Sequence, residues 1–273
     1  PAAYADIMAA NSNIDEIWPV DKRRYIIRSW ELAGLVSRIR KRRYDIAIDC
    51  SDVNSYSSTE AAYALISGAT VTAGWKINER RLFDIEVERY TRTVHAADMY
   101  LKLFSGIFDR ELEGDPFIKL ERAATKEKEA VVGINCGGRG AKRLPLEVFI
   151  EIGEEIASSG VVVEFILGPD EADLRPGLAK RLPQRCRLLP PLSLEGLMKE
   201  IARYEAFVSS DTGPMHLAWV LGVPTVAIFV DSELEKFRPL SPGSLAIDGR
   251  GGVDTAAICV HLNEILNSAK VSR

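Results

Sequence analysis

The α/β organisation of this chain is clearest in the stretch SSDTGPMHLAWVLGVPTVAIF, residues 209–229, where a polar turn separates two apolar segments. The predicted strand 205–210 leads into the turn, a short helix is predicted after it, and the predicted strand 224–229 follows. Near-continuous apolar strands separated by helices are typical of a parallel sheet covered on both faces. Ligands bind such sheets at the carboxyl ends of the strands, so the turn is predicted to be a binding site.

The residues of this turn suit an anion. Asp211 and Thr212 are helix-capping residue types, and Gly213 allows a ligand to approach the backbone closely. Pro214 occupies a first-turn position where no N–H is needed, and His216 lies in the same turn. The open N–H groups and dipole of a helix N-terminus favour phosphate or pyrophosphate. The alternative is a plain helix cap with a polar surface histidine.

A second glycine-rich loop, INCGGRGAKRLP at 134–145, follows another predicted strand at 130–135. Its glycine N–H groups can form an anion-binding concavity, and its basic side chains add positive charge. The residues behind this prediction are Gly137, Gly138, Arg139, Gly140, Lys142 and Arg143. The loop fits neither a Walker A motif nor GxGxxG, and a plain basic surface loop is the alternative. Asp170 and Glu171 follow the predicted strand 161–168, where a carboxylate can accept hydrogen bonds from a ribose; for Asp170 a simple helix-end charge is favoured.

Composition narrows the class of protein. The chain has 273 residues, 47% hydrophobic and 27% charged, and a net charge of -4 that gives no general attraction to nucleic acid. No apolar run reaches the roughly 20 residues of a membrane-spanning helix. The four cysteines are widely spaced, which argues against disulfides or a zinc site and favours the reducing cytoplasm.

One region is strongly basic. Nine lysines and arginines fall between positions 22 and 43: Lys22, Arg23, Arg24, Arg28, Arg38, Arg40, Lys41, Arg42 and Arg43. A solvated helix face with a positive C-terminus explains such a run, and this reading is favoured. The more specific alternative is a surface that binds anionic lipid or a phosphorylated acceptor.

The pattern predicts two Rossmann-like domains, one at 1–120 and one at 129–273, joined by the charged stretch 117–130. In the first domain, strands are predicted at 16–20, 44–50 and 69–75, and helices near 25–42, 58–67 and 95–108.

The segments GGRGAKRLP, LGPDE and SLEGLMKEIARYEAFVSSDTGPMHLAWVLGVPTVAIF resemble glycosyltransferase family 9, the ADP-heptose:lipopolysaccharide heptosyltransferases. The similarity covers roughly residues 45–245, and the Asp-Thr-Gly-x-x-His block is its most specific part. The resemblance implies a GT-B fold, two Rossmann-like domains with a cleft between them. It also implies inverting transfer of heptose from ADP-heptose to the lipopolysaccharide inner core, without cofactor or metal, by a cytoplasmic bacterial enzyme that can contact the inner membrane peripherally. Another nucleotide-sugar enzyme, using UDP-sugars, and a non-catalytic nucleotide-sugar binding protein remain alternatives.

The resemblance also implies roles by position. The implied diphosphate-binding residues are Lys142, Asp211, Thr212, Gly213 and His216, and the secondary donor-binding candidates are Gly138, Arg139, Arg143 and Glu171. The implied partners are an ADP-sugar and a phosphorylated core acceptor.

The chain departs from the family pattern in three places, one of which is Leu144, where a tryptophan is common. The family's first strand and its Gly-Asp turn, which carries the catalytic aspartate, are expected upstream of Pro1, so the general base stays unassigned. Asp49 and Asp52 lie near a strand end without matching that motif. The triplet 230–232 (Val-Asp-Ser) stands where the family usually has a Gly-Pro-Thr-like turn, which leaves the sugar open.

Overall fold

A computed structural model describes residues 4–21, 28–52, 56–77, 79–89, 94–118, 130–138 and 140–271. The chain divides into two compact units, each with its own parallel sheet. One unit spans Trp18–Asp115. The other contains Pro116–Arg273 and the N-terminal segment that ends at Ile17, which includes helix α1 (Ala5–Ala9).

The first unit has a three-stranded parallel sheet in the order β1-β2-β3. Its elements are α2 (Ser29–Lys41), β1 (Ile46–Ile48), α3 (Ser58–Ile66), β2 (Val71–Trp75), β3 (Ile85–Val87) and α4 (Ala96–Phe108). The apolar side chains of α4 that pack on the sheet are Met99, Leu103 and Ile107. Helix α3 begins after Ser57, whose hydroxyl accepts a hydrogen bond from the Glu60 N–H at 3.3 Å.

Most predicted elements of the first unit are confirmed, but the strand at 16–20 is wrong and β3 was not predicted. Residues 16–20 pair with no strand of the described chain. Pro19 has no N–H to give to a ladder. Side chains hold this segment instead, since the Trp18 indole N–H donates to the Tyr44 hydroxyl at 3.3 Å and Arg38 lies 5.3 Å from the centre of the Trp18 ring.

The second unit has a six-stranded sheet in the order β6-β5-β4-β7-β8-β9, parallel throughout. Its elements after α1 are β4 (Val131–Asn135), α5 (Leu146–Ser158), β5 (Val162–Ile166), α6 (Arg175–Ala179), β6 (Cys186–Leu188), α7 (Leu194–Ile201), β7 (Ala206–Ser210), α8 (Gly213–Val220), β8 (Thr225–Phe229), α9 (Leu234–Phe237), β9 (Leu245–Asp248) and α10 (Thr255–Val271). Short 3-10 turns lie at Gly140–Lys142 and Pro169–Leu174. Counted within this unit the order is 3-2-1-4-5-6, the arrangement of dinucleotide-binding folds, which confirms the Rossmann-like prediction.

Helices cover both faces of this sheet. On one face α5 and α10 bury side chains such as Phe149, Ile152 and Leu262 against alternate residues of the central strands. On the other face α7 and α8 do so, for example through Ile201 and Leu217. The central strands β4, β7 and β8 are buried along their whole length, which explains why their sequences are almost continuously apolar.

Serine and glycine residues mark several helix ends. Ser193 caps α7, and its hydroxyl accepts the Gly196 N–H at 3.1 Å. Gly160 and Gly222 follow helices with φ values of 88° and 76°, a left-handed conformation that glycine adopts without strain. Pro145 is the residue just before α5.

The structure places the N-terminal segment differently from the predicted boundary at 1–120. Helix α1 belongs to the second unit, where Ile7 and Ala10 pack on the cluster formed by α7 and α8. The predicted linker 117–130 begins inside this unit too, since Ile118 donates its N–H to the Val220 carbonyl at 2.6 Å. Residues 119–129 of that linker lie outside the described residues.

Candidate functional site

The strand order creates one special position at the carboxyl edge of the second sheet. The chain crosses to one side after β4 and to the other side after β7, and these two strands are neighbours. The loops that follow them therefore diverge and leave a crevice between them. Asn135 and Ser209, at or near the ends of the two strands, are direct partners in the register. Both predicted anion-binding loops begin here, so the structure brings them together.

Asp211 joins the two loops. Its Oδ2 lies 2.6 Å from Nζ of Lys142, which is 69 residues away in the loop after β4. Its Oδ1 lies 3.3 Å from Nε2 of His216 in the first turn of α8. Asp211 is only 5% exposed, whereas the side chains of Lys142 and His216 are each 39% exposed. The carboxylate thus holds two donor groups at the mouth of the crevice, in reach of solvent.

The ionised form of Asp211 is strongly favoured. Burial raises the pKa of a carboxyl group, but here hydrogen bonds from His216 and Lys142 outweigh it and hold the pKa of Asp211 far below its usual range. Asp211 therefore carries a full negative charge at neutral pH. That charge holds the Lys142 ammonium at the crevice.

Thr212 occupies the N-cap position of α8, but its side chain makes no capping bond to the described helix. The predicted capping role of its hydroxyl is therefore wrong. Its Oγ1 instead accepts from Nδ2 of Asn135 at 3.1 Å and lies 3.0 Å from the Ser209 hydroxyl. A network of short polar side chains at the ends of β4 and β7 fixes the turn, and it leaves the N-terminus of α8 without a side-chain cap from Thr212.

Asn135 is a site residue that the sequence prediction missed. It is 2% exposed, and its amide donates to both Ser209 and Thr212. A polar residue ending a buried apolar strand was the available signal.

Gly213 opens α8 beside this network. A Cβ placed on Gly213 would meet no described atom within 4 Å, so the space over this backbone is open. An anion can approach the first turn of α8 there.

Glu171, proposed from sequence as a ribose contact, lies in the loop after β5 and contacts the loop after β4. It is 5% exposed, and its Oε1 accepts the Gly138 N–H at 3.2 Å and lies 3.8 Å from the Arg143 guanidinium. Arg143 also donates to the Gly138 carbonyl at 2.9 Å. Glu171 thus links the loop after β5 to the loop after β4, beside the Lys142 segment. Arg139 lies outside the described residues.

In the first unit, the polar residues after β1 form a separate cluster. Asp49 is 3% exposed and accepts the Ser51 N–H at 3.1 Å and the Ser51 hydroxyl at 2.6 Å. The same hydroxyl lies 3.3 Å from Glu60. Asp52 is only partly buried, and residues 53–55 lie outside the described residues. These contacts are internal to the unit, and no general base is assigned from them.

The second unit is thus a nucleotide-binding type of α/β domain whose crevice offers cationic side chains and a helix N-terminus to an anion. The chain belongs to glycosyltransferase family 9 (heptosyltransferase), whose family model matches residues 32–251. It is a glycosyltransferase with the α/β, GT-B-like fold class expected from the sequence.

Curated relatives extend over most of the chain. Lipopolysaccharide heptosyltransferase 1 of Pseudomonas aeruginosa is 26% identical over 268 residues, which are 92% of this chain and 72% of that protein. The protein of the same name from Escherichia coli K12 is 24% identical over 245 residues, 83% of this chain and 75% of that protein.

Solved structures show the same fold. The E. coli heptosyltransferase WaaC with ADP superimposes with a TM-score of 0.79 at 20% identity, covering 96% of this chain and 88% of that one. A glycosyl transferase family 9 protein from Veillonella parvula gives 0.79 at 18% identity, covering 97% and 86%.

Proposed function

We propose that this chain transfers heptose from ADP-heptose to the inner core of lipopolysaccharide with inversion at the anomeric carbon. Membership of the heptosyltransferase family supports the reaction class, and the relatives named lipopolysaccharide heptosyltransferase support the acceptor. Relatives of the same fold have been solved with ADP and with ADP-2-deoxy-2-fluoro heptose, which supports the donor. The observation that carries the proposal is the junction of Lys142, Asp211 and His216 at the N-terminus of α8.

In this proposal the crevice residues bind the donor diphosphate. Lys142 and His216 contribute side-chain donors, and Thr212 and Gly213 place the start of α8 against a phosphate group. As the acceptor hydroxyl forms its bond to the anomeric carbon, the bond from that carbon to the diphosphate breaks and negative charge grows on the leaving oxygen. Preorganised cationic groups stabilise such charge. The acceptor's proton passes to a general base that remains unassigned.

The secondary residues are proposed to bind the nucleoside end of the donor. Glu171, in the loop after β5, lies 3.8 Å from Arg143, in the loop after β4, and Gly138 contacts both through its N–H and carbonyl. Arg139 belongs to the loop after β4, and the same role is proposed for it.

Calorimetric titration with ADP and with UDP tests the donor site. The chain is expected to bind ADP in preference to UDP. Lys142→Met removes the ammonium but keeps an unbranched side chain, and it should weaken ADP binding by about 1–3 kcal/mol. Lys199→Met is the matched control, because Lys199 is exposed on α7 and pairs with Glu195.

Three results would count against the proposal. Preference for UDP would favour the alternative of another nucleotide-sugar enzyme. If the chain binds neither ADP nor UDP, the turn before α8 is only a helix cap. Equal effects of Lys142→Met and Lys199→Met would remove Lys142 from the site.

We also propose that the basic end of α2 contacts an anionic membrane surface, at the cytoplasmic face of the inner membrane. None of the described helices is long and apolar enough to cross a membrane. The described basic side chains Arg38, Arg40, Lys41, Arg42 and Arg43 are exposed. Beside them lies a surface depression of about 720 Å³ whose lining includes the apolar residues Leu32, Ala33, Val36 and Ile66. Lys22, Arg23 and Arg24 of the predicted basic run lie outside the described residues.

Vesicle sedimentation tests this surface. Replacing Lys41 and Arg43 by Gln should weaken association with phosphatidylglycerol-containing vesicles by about 10- to 30-fold, since each surface charge contributes about 1 kcal/mol. The control replaces two exposed lysines of the second unit, Lys180 and Lys199, by Gln. Equal loss in both pairs would show a general charge effect and refute the α2 surface.

A further inference from the structure

Trp219 contacts His216 directly on α8. The two residues are three positions apart, so their side chains lie on the same side of the helix. The indole Nε1 of Trp219 lies 3.3 Å from Nδ1 of His216. Trp219 is 7% exposed, and Phe117 packs edge-on against it with ring centres 6.5 Å apart. Packing therefore fixes the position of the indole N–H.

The chemistry of the indole fixes which His216 nitrogen carries a proton. An indole N–H only donates, so Nδ1 of His216 must accept and carries no hydrogen. The single proton of a neutral imidazole then resides on Nε2, which faces Oδ1 of Asp211 at 3.3 Å. A ring flip would separate both nitrogens from these partners, so the two contacts define one orientation of His216.

A second aromatic side chain restrains the plane of the ring. Phe237, at the end of α9, packs edge-on against His216 with ring centres 5.9 Å apart and planes at 75°. Trp219 and Phe237 reach the imidazole from different elements, α8 and α9. The segment after β8 therefore contacts the site, because its residue Phe237 packs on His216.

We propose that Trp219 is a positioning residue that holds neutral His216 in the Nε2–H tautomer, so that its one N–H faces the anion site. The inference rests on the proposed function, because it concerns how His216 meets the donor diphosphate. In the structure this N–H is directed at Asp211. An arriving phosphate oxygen accepts the same N–H, and Trp219 keeps the proton from moving to the nitrogen that faces away from the ligand.

Long-range proton–nitrogen correlation spectra of ¹⁵N-labelled protein read the tautomer directly. The chain has three histidines, and His216→Asn identifies the His216 signals by their loss. These spectra distinguish the Nε2–H form of an imidazole from the Nδ1–H form. The wild-type chain should show His216 as the Nε2–H form. Trp219→Phe keeps an aromatic ring but removes the N–H, and it should produce a visible share of the Nδ1–H form.

The chain supplies an internal reference and a packing control. His95 accepts the Ala97 N–H at its own Nδ1, 3.1 Å away, so it should remain Nε2–H in every variant. Phe117→Leu loosens the packing of Trp219 but leaves its N–H, and the His216 tautomer should not change. Trp219→Phe should weaken ADP binding about three- to tenfold, the range of one lost hydrogen bond, and should have no further effect in the His216→Asn background.

Two outcomes would overturn the inference. In the first, His216 keeps the Nε2–H tautomer in Trp219→Phe. In the second, the tautomer shifts and ADP affinity stays the same. A wild-type chain that fails to bind ADP would instead refute the proposed function, while the tautomer spectra would still decide the role of Trp219.

Discussion

Asp211 and Glu164 are both buried carboxylates of the second unit surrounded by cationic side chains, yet they lie in different parts of the sheet. Glu164 is in the middle of β5 and is fully buried. Its Oε1 accepts from Arg187, with Nε at 2.8 Å, and its Oε2 accepts from Arg203 and from the Tyr204 hydroxyl at 2.8 Å. Asp211 lies just beyond the end of β7, where its partners also face the crevice.

The two groups show that charge burial alone does not mark a binding site. Burial raises the pKa of Glu164, and hydrogen bonds from Arg203, Arg187 and Tyr204 outweigh it, so the net shift is downward as it is for Asp211. The two carboxylates differ in where they lie in the sheet. The Glu164 cluster joins strands and the end of α7 within the sheet, whereas the Asp211 cluster stands at the one edge where neighbouring loops diverge. We infer a structural role for Glu164 and a binding role for Asp211.

The largest expected effect is on stability at Glu164. Glu164→Gln keeps the shape of the side chain but leaves Arg203 and Arg187 without their buried partner charge, and it should lower the free energy of unfolding by about 3–5 kcal/mol. A group with a lowered pKa stabilises the fold above its ordinary pKa of 4.5, and the contribution is lost as the pH falls through the lower folded value. The difference between variant and wild type in urea unfolding should therefore be larger at about pH 7 than at about pH 3. A difference that does not change with pH would contradict the ionic role.

Substitutions of two glycines also compare the interior of the sheet with the crevice. A Cβ on Gly133 in β4 would lie 2.3 Å from the Tyr204 ring, so Gly133→Ala should destabilise the unit by about 1–3 kcal/mol through overpacking. Gly213→Ala, at the crevice, meets open space and should change stability by less than about 0.5 kcal/mol. Thermal unfolding measures both variants. Equal destabilisation would show that the start of α8 is more closely packed than the structure indicates.

Asp211→Asn should mainly weaken ADP binding, whereas Glu164→Gln should mainly lower the free energy of unfolding. The amide cannot hold Lys142 by charge, so ADP binding should weaken by about 1–3 kcal/mol. Its unfolding free energy should fall by less than that of Glu164→Gln, because Lys142 and His216 are partly solvated. Calorimetry and urea unfolding on the same two samples give the comparison. A larger stability loss at Asp211 than at Glu164 would reverse the assignment of the two roles.

Much of the fold was predictable because local chemistry determines it. Strands β4, β5, β7 and β8 are apolar runs bounded by glycine and polar turns, and their helices carry recognisable caps such as Ser193. The elements that were missed are short or lie at the margins: β3 has three residues, and α1 has five. Such segments take their structure from packing, as α1 does through Ile7 and Ala10. The stretch 16–20 has a strand-like composition, but Pro19 and the contacts of Trp18 prevent pairing.

The sequence alone determined the α/β class, the two loops proposed to bind an anion and the family, because these depend on residue types at fixed short spacings. Only the tertiary structure decided that Lys142 and Asp211 meet, since their contact follows from β4 and β7 being neighbours in the sheet. It also decided that Thr212 bonds to Asn135 rather than capping α8, and that the Trp219 indole N–H meets His216. Hydrogen bonds of this kind depend on distances of a few tenths of an ångström between side chains, which the packing of separate elements sets.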